Sequence, residues 1–201
     1  MKTSLIPIID TGHGSNTPGK RSLFSFEPNG KVTLMENNFN EAVGNKMSLL
    51  YYLSRQECHF ITNEWWDVPL EERCDRENKI AREIRNRGER SIFISIHADA
   101  FGETERDGNL ATGATFFYKS EEGRRLAEHF TRVFKEGGYP LKIRTPKYAN
   151  YKVLRSTTSP ALLFEGGFMT NNNVDLPEIL KDSTRNLAAV LLKRAIDSYL
   201  V

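Results

Sequence analysis

The sequence predicts an α/β domain of three layers, in which a mainly parallel central sheet is flanked by helices on both faces. The first observation behind this prediction is that short apolar runs rich in β-branched residues alternate with longer segments of helical period. The second is the run "SIFISI", which is almost continuously apolar, as in a strand that is covered on both faces. The third is length, since 201 residues suffice for one sizeable core. We therefore expect one domain over residues 1–201.

Five apolar runs are the predicted strands. In chain order they cover residues 5–9, 58–62, 91–96, 114–118 and 161–164. In open α/β sheets, ligands gather at the carboxyl ends of the strands. Polar residues that directly follow these runs are therefore the first candidates for chemistry.

Four segments between and after these runs have helical patterns. The first is marked by apolar residues spaced by four, four and three, which form one face of a helix: Phe39, Val43, Met47 and Leu50. Residues 70–88 and 120–138 read as charged amphipathic helices. Gly88 is the expected C-terminal cap of one, and Ser120 is the expected N-cap of the other, which Gly137 and Gly138 end. A last helix is predicted from the apolar positions of residues 187–196.

The charge and cysteine content exclude some functions and compartments. The net charge is +2, from 28 basic and 26 acidic residues, which is too balanced to indicate nucleic-acid binding. Cys58 and Cys74 lack metal-type spacing and are expected to be unpaired thiols of a chain made in a reducing compartment.

Hydropathy argues against both insertion into a membrane and a secretory signal. No segment approaches the roughly 20 apolar residues that cross a bilayer. The first apolar run is too short for a signal peptide. We expect that the protein acts in the cytoplasm, that it leaves the cytoplasm by a route other than a signal peptide, or that the sequence is a trimmed form.

Two of the four histidines occupy places where a sheet would expose them. His13 follows the first predicted strand, and His97 ends the third. If these strands are parallel neighbours, both imidazoles emerge at one edge of the sheet. Zinc favours imidazole nitrogen, and a catalytic zinc site has three protein ligands and one open position. His59 and His129 are better explained by packing or by a solvated face, and "TGH" alone could be only a turn.

Two glutamates compete for the third place in such a site. Glu36 lies at the predicted start of the first helix, where the helix dipole alone would stabilise a carboxylate. Glu165 ends an apolar strand and is followed by two glycines, which permit a sharp turn and close approach of a substrate. A carboxylate placed there, near a divalent cation, has the position expected of a general base.

Four segments, in order, resemble those of one family. They are "IIDTGHGSNTPG", "MENNFNEAV", "FISIHADA" and the segment from Ser159 to Asn171, which begins "SPALLFEGGF". The sequence resembles the zinc-dependent N-acetylmuramoyl-L-alanine amidases of the amidase 3 type, found in bacterial cell-wall hydrolases and phage endolysins. A weaker match is "LEERCDREN", which is similar to a Leu-x-x-Arg-x-x-x-Ala-Asn helix of that family. The resemblance covers essentially the whole chain.

The resemblance implies a metal centre, a reaction and a substrate. His13, Glu36 and His97 would be the ligands of Zn²⁺, and Glu165 the catalytic carboxylate. The single catalytic domain would cleave the amide between N-acetylmuramic acid and L-alanine in peptidoglycan, and so meet both glycan and stem peptide. We expect action on the cell wall, in the periplasm or outside the cell, by a monomer that neither binds nucleic acid nor inserts into a membrane.

The chain departs from the family pattern at three places, which bear on substrate detail more than on the metal centre. Asp99 replaces the usual Asn, Asn63 stands where an Arg often follows Thr, and residues 24–34 are atypical.

Asp10 is a candidate for orienting a ligand imidazole. Trp65 and Trp66 could stack on sugars, although burial of one of them is an equal alternative. Further candidates for substrate contact are Asn16, Lys20, Arg21, Arg144, Lys147, Tyr148, Asn150, Arg155 and Asn171.

Two other functions stay open at this point. A zinc carboxypeptidase-like peptidase acting on cell-wall peptides would share the metal chemistry and differ only in its groove. A metal-free cell-wall binding module would leave His13, Glu36, His97 and Glu165 without a role.

Overall fold

A computed structural model of the chain describes residues 5–22 and 34–199. Its strands form one six-stranded sheet in the order β2-β1-β3-β6-β4-β5. The pair β4–β6 is antiparallel and the other four pairs are parallel. The strands are β1 (Leu5–Thr11), β2 (His59–Phe60), β3 (Arg90–Asp99), β4 (Thr115–Tyr118), β5 (Lys147–Tyr148) and β6 (Ala161–Phe168).

Helices cover both faces of this sheet. They are α1 (Glu36–Ser54), α2 (Leu70–Asn86), α3 (Glu105–Gly108), α4 (Glu121–Glu136), α5 (Lys152–Arg155), α6 (Asp175–Ile179) and α7 (Asp182–Ser198). Buried residues of α1, α4 and α7 pack on one face, against Ile9, Ile94 and Phe164. Residues of α2 and α5 pack on the other, against Ile8 and Phe93. This arrangement confirms the predicted three-layer architecture with a mainly parallel sheet.

The predicted helix ends agree with the structure. Gly88 follows α2 with φ +77°, and Gly138 follows α4 with φ +72°, the left-handed conformation that glycine adopts most easily. The Ser120 hydroxyl accepts a hydrogen bond from the Gly123 amide at 3.0 Å, as an N-cap does. The capping residues in the sequence therefore predicted these helix ends correctly.

The strands differ from the prediction in length and number. Only His59 and Phe60 of the second apolar run pair, and the short β5 was not predicted. Both central strands run past their predicted ends, because the ladder between β3 and β6 continues through a bulge to the pair Asp99–Phe168. The predictions that His97 and Glu165 end their strands are therefore wrong, since both lie inside paired strands.

Residues 24–33 of the atypical segment lie outside the described residues, and Leu34 is buried. Within residues 5–22 and 34–199, no helix has the length and apolar character needed to span a bilayer.

Asp175 joins three parts of the chain near the carboxyl end of β6. It is fully buried, and its carboxylate accepts hydrogen bonds from the Thr112 hydroxyl at 2.5 Å and from the amides of Gly113 and Phe168 at 2.7 and 2.9 Å. We expect Asp175→Ala to lower the free energy of unfolding by about 3 kcal/mol or more, because the two buried amides of Gly113 and Phe168 lose their acceptor. Urea unfolding measures this effect. The exposed Asp75→Ala is the control, and an equal effect in both variants would contradict the interpretation.

Candidate metal centre

Three side chains with metal-binding donor atoms meet at the carboxyl edge of the sheet. His13 follows β1, His97 lies near the end of β3, and Glu36 is the first residue of α1. One donor atom of each lies within 4.8 Å of the other two. Glu36 Oε1 is 2.9 Å from His97 Nδ1 and 3.4 Å from His13 Nε2. The structure thus brings together the three residues that the sequence suggested as ligands, and their role as ligands stays a prediction.

The turn at His13 depends on close backbone packing. A Cβ atom on Gly12 would lie 2.0 Å from His97 Cε1, and one on Gly14 would lie 2.2 Å from the backbone of Trp66. The left-handed conformation falls on His13 itself, with φ +63°. The Asn40 amide nitrogen donates to the Gly12 carbonyl at 2.6 Å and holds this turn. The glycines at positions 12 and 14 therefore make room for their neighbours, and His13 itself takes the unusual backbone angle.

Burial and neighbouring charge set the charge state of two of these residues. Burial lowers the pKa of His13 to about 4, which keeps its imidazole neutral and its lone pair available at pH 7. Burial alone would raise the pKa of Glu36, but the hydrogen bond and charge of His97 outweigh it and lower that pKa. Glu36 is therefore an anion. Imidazole nitrogens and one carboxylate oxygen are a donor set that suits zinc.

A hydrogen-bonded chain orients the imidazole of His97. Asp10, Ser95 and His97 share one face of the sheet, because Asp10 pairs with Ser95 and strand residues two apart point the same way. The Ser95 hydroxyl donates to Asp10 Oδ2 at 2.7 Å and lies 2.9 Å from His97 Nε2. Since that hydroxyl gives its proton to Asp10, Nε2–H of His97 is the donor in the second bond. Nδ1 then faces Glu36 Oε1 at 2.9 Å, on the side where the three donor atoms converge.

One buried arginine holds the carboxylates behind both histidines. Arg73, 2% exposed, donates to Asp10 Oδ1 at 3.0 Å and to Asp67 Oδ1 at 2.5 Å. Asp67 Oδ2 lies 3.9 Å from His13 Nδ1. Arg73 therefore holds Asp67 beside His13, and it holds Asp10, which reaches His97 through Ser95.

Asp10 was predicted for this supporting role from the sequence, whereas Arg73, Ser95 and Asp67 were not. The signal for Arg73 was present, because it shares helical spacing with the buried residues Ala81 and Ile84 of α2.

Glu165 places a second carboxyl group beside the three donors. It pairs with His97 on β3 and with Thr115 on β4. Its Oε2 atom is buried and has no hydrogen-bond partner among the described residues. Burial raises the pKa of Glu165 well above its usual value, and the charges of Asp99 and Glu36 raise it further. Its surroundings therefore perturb the acidity of this carboxyl group, which also has an oxygen free to bond to a reacting molecule.

The structure shows the surroundings of several residues that were predicted to contact substrate. Trp65 and Trp66 are 66% and 44% exposed, so the alternative in which one is buried is wrong, and stacking on sugars stays a prediction. Their loop is tied to the His13 turn by the Ser15 amide, which donates to the Trp65 carbonyl at 2.8 Å. Asn171 is buried and accepts from the Val174 amide at 2.8 Å, which gives it a structural role. Tyr148 contacts Lys119, and the remaining contacts stay predictions.

Comparison with known proteins gives a family match over nearly the whole chain. A model of the amidase 3 family, described as N-acetylmuramoyl-L-alanine amidase, matches residues 8–198. The chain is 27% identical over 197 residues to the uncharacterized protein YqiI of Bacillus subtilis (strain 168), an alignment that covers 95% of this chain and 82% of YqiI.

Two solved structures resemble the chain closely in fold. An N-acetylmuramoyl-L-alanine amidase from Clostridium difficile 630 has a TM-score of 0.76 at 23% identity, covering 98% of this chain and 97% of that one. The catalytic domain of the amidase CwlV from Bacillus (Paenibacillus) polymyxa var. colistinus has a TM-score of 0.75 at 22% identity, covering 96% of each chain. These likenesses establish a shared fold.

Proposed function

The chain belongs to the amidase 3 family of N-acetylmuramoyl-L-alanine amidases, and we propose that its site at His13, Glu36 and His97 holds the zinc ion on which the hydrolysis depends. The family acts on peptidoglycan, at the amide between N-acetylmuramic acid and L-alanine. The observation that carries the proposal is the convergence of three donor atoms within 4.8 Å of one another. Glu165, on the strand beside His97, supplies the proton-transfer group.

The residues present fit a catalytic zinc ion. Two imidazoles and one carboxylate make a three-ligand set that leaves a fourth position open. When bound, zinc lowers the pKa of a water molecule to about 7 and polarises a carbonyl group. Arg73, Asp10 and Ser95 hold the orientation of His97, so that little rearrangement is needed when the ion binds.

Glu165 moves protons in this scheme. Its free Oε2 accepts a proton from the attacking water while the water oxygen bonds to the lactyl carbonyl carbon. The same carboxyl group then gives the proton to the alanine nitrogen as the carbon–nitrogen bond breaks. The products are a lactyl carboxylate on the glycan and a free amine on the stem peptide.

The working context of the enzyme follows from its substrate. We propose that residues 1–201 form one catalytic domain that acts as a monomer at the cell wall, in the periplasm or outside the cell. An endolysin role, which the resemblance to phage endolysins suggested, and the expected lack of a nucleic-acid partner both stay predictions.

Digestion of purified peptidoglycan tests this function. We expect the chain to release intact stem peptides with a new alanine N-terminus, and to do so with zinc but not with a chelator. Mass spectrometry of the products identifies the bond. New C-termini within the peptides would favour the carboxypeptidase-like alternative, and wall binding without any products would favour a binding module.

Ser95 offers a test of the supporting chain behind His97. We expect Ser95→Ala to weaken zinc binding about 10- to 100-fold, the usual cost of losing a group that orients a ligand. Zinc affinity is measured by competition with a chelating dye. Ser91→Ala is the matched control, because Ser91 lies on the same strand and bonds to Ser159 instead of to the site. Equal affinities of the two variants would contradict the role of Ser95.

A further inference from the structure

A basic cleft lies beside the metal centre, on the β4 side of the sheet. It encloses about 510 Å³, and its lining includes Asp99, Phe101, Lys142, Arg144, Lys147 and Phe168. Three cations and one carboxylate give it positive charge, although the whole chain has a net charge of only +2. None of the three cations has a carboxylate oxygen within 4 Å among the residues that the structure describes. Unpaired cations grouped in a cleft favour an anionic ligand.

The backbone holds the wall of this cleft firmly in place. The amide of Ala114 donates to the Lys142 carbonyl, and the amide of Arg144 donates to the Ala114 carbonyl, both at 2.9 Å. Ile143 between them is buried, so Lys142 and Arg144 point away from the core together. A Cβ atom on Gly113 would lie 2.4 Å from the Lys142 carbonyl oxygen, so only glycine allows this approach.

The floor of the cleft is aromatic. The Arg144 guanidinium lies 5.3 Å from the centre of the Phe168 ring, within the range of a cation–π contact. This contact restrains Arg144 without neutralising its charge. The cleft therefore offers both apolar surface and fixed positive charge, as a peptide with acidic groups requires.

The cleft opens directly onto the reacting edge of the sheet. Asp99 lies two residues after His97 and pairs with Phe168, three residues after Glu165. Ala114, which carries the Lys142–Arg144 segment, precedes Thr115, the partner of Glu165 on β4. A peptide that extends from the scissile amide can therefore enter the cleft directly.

We propose that this cleft binds the stem peptide of peptidoglycan, with the peptide's free carboxylates paired to Lys142, Arg144 and Lys147. The inference rests on the proposed function, which makes the peptide the leaving half of the substrate. The other half is less suited to the cleft, because the muramic lactyl group is tied up in the amide and the sugars offer neutral hydroxyls. A stem peptide whose γ-linked glutamate is not amidated carries a free α-carboxylate on that residue and a C-terminal carboxylate.

Equilibrium binding of free stem peptides to the zinc-loaded chain tests the proposal without hydrolysis. The probes are a synthetic tetrapeptide with a free glutamate α-carboxylate and the same peptide fully amidated at its carboxyl groups. We expect the wild type to bind the acidic peptide about tenfold more tightly, and Arg144→Gln/Lys147→Gln to lose that preference, since charge-assisted bonds are lost. Lys135→Gln, exposed at the end of α4, is the control and should keep it.

The outcomes separate this proposal from the proposed function. If the double variant keeps the wild-type melting temperature and still prefers the acidic peptide, the cleft assignment is overturned. A loss of affinity for polyglycerol phosphate alone would assign the cleft to an anionic wall polymer and also overturn it. If the wild type shows no preference, the assignment fails even where the chain cuts peptidoglycan. If the preference depends on the cleft but no amide is cut, the cleft stands and the proposed function fails.

Discussion

Glu165→Gln is expected to lower the rate of amide hydrolysis about 1,000-fold while the amount of bound zinc stays unchanged. Glutamine keeps the shape of the side chain but cannot accept the water's proton, and general acid–base catalysis contributes about 10²- to 10⁴-fold. Glu165 pairs with His97 but is not among the three converging donors, which is why metal binding should survive. The measurements are the rate of stem-peptide release and the zinc content of the same preparation.

Glu165→Ala extends this test. It should keep zinc and lose hydrolysis as Glu165→Gln does, because both remove the proton acceptor. Activity close to that of the wild type in either variant would reject Glu165 as the proton-transfer group. Loss of zinc from both would instead make it a ligand.

Glu36→Ala is expected to weaken zinc binding by at least about 1,000-fold, since the loss of a merely supporting group already costs about 10- to 100-fold. Glu36 is 2% exposed and contacts both histidines, so its removal takes away the anionic donor of the site. Competition with a chelating dye measures the affinity, and metal analysis measures the stoichiometry.

Glu41→Ala is the matched control for Glu36→Ala. It makes the same change on the same helix, five residues further along, at a residue that is not among the converging donors. Zinc affinity should be unchanged there. If Glu36→Ala also binds zinc normally, the third ligand lies elsewhere.

The fold was largely predictable because its signals are local. Apolar runs, helical spacing and capping residues such as Ser120 and Gly88 each act within a few residues of sequence. The short strand Lys147–Tyr148 was not predictable, because it forms only by pairing with β4. The extension of β6 past Phe164 likewise depends on the ladder with β3, which no local pattern specifies.

The candidate site was predictable in its principal residues and not in their support. His13, His97 and Glu165 follow or end apolar runs, so their places in the sequence suggested a shared edge. The roles of Arg73 and Asp67 depend on the packing of α2 against β1, where Arg73 reaches Asp10 while it also holds Asp67 in the loop before the helix. A buried arginine that reaches two carboxylates is a property of the packed structure, and sequence spacing gave only its place on the helix.

The most direct test of the metal centre is anomalous diffraction at the zinc absorption edge, from crystals of the chain grown with zinc. We expect one strong peak in contact with His13 Nε2, His97 Nδ1 and a carboxylate oxygen of Glu36, where the three donors converge. The absence of a peak there, or a single peak at other residues, would contradict the account.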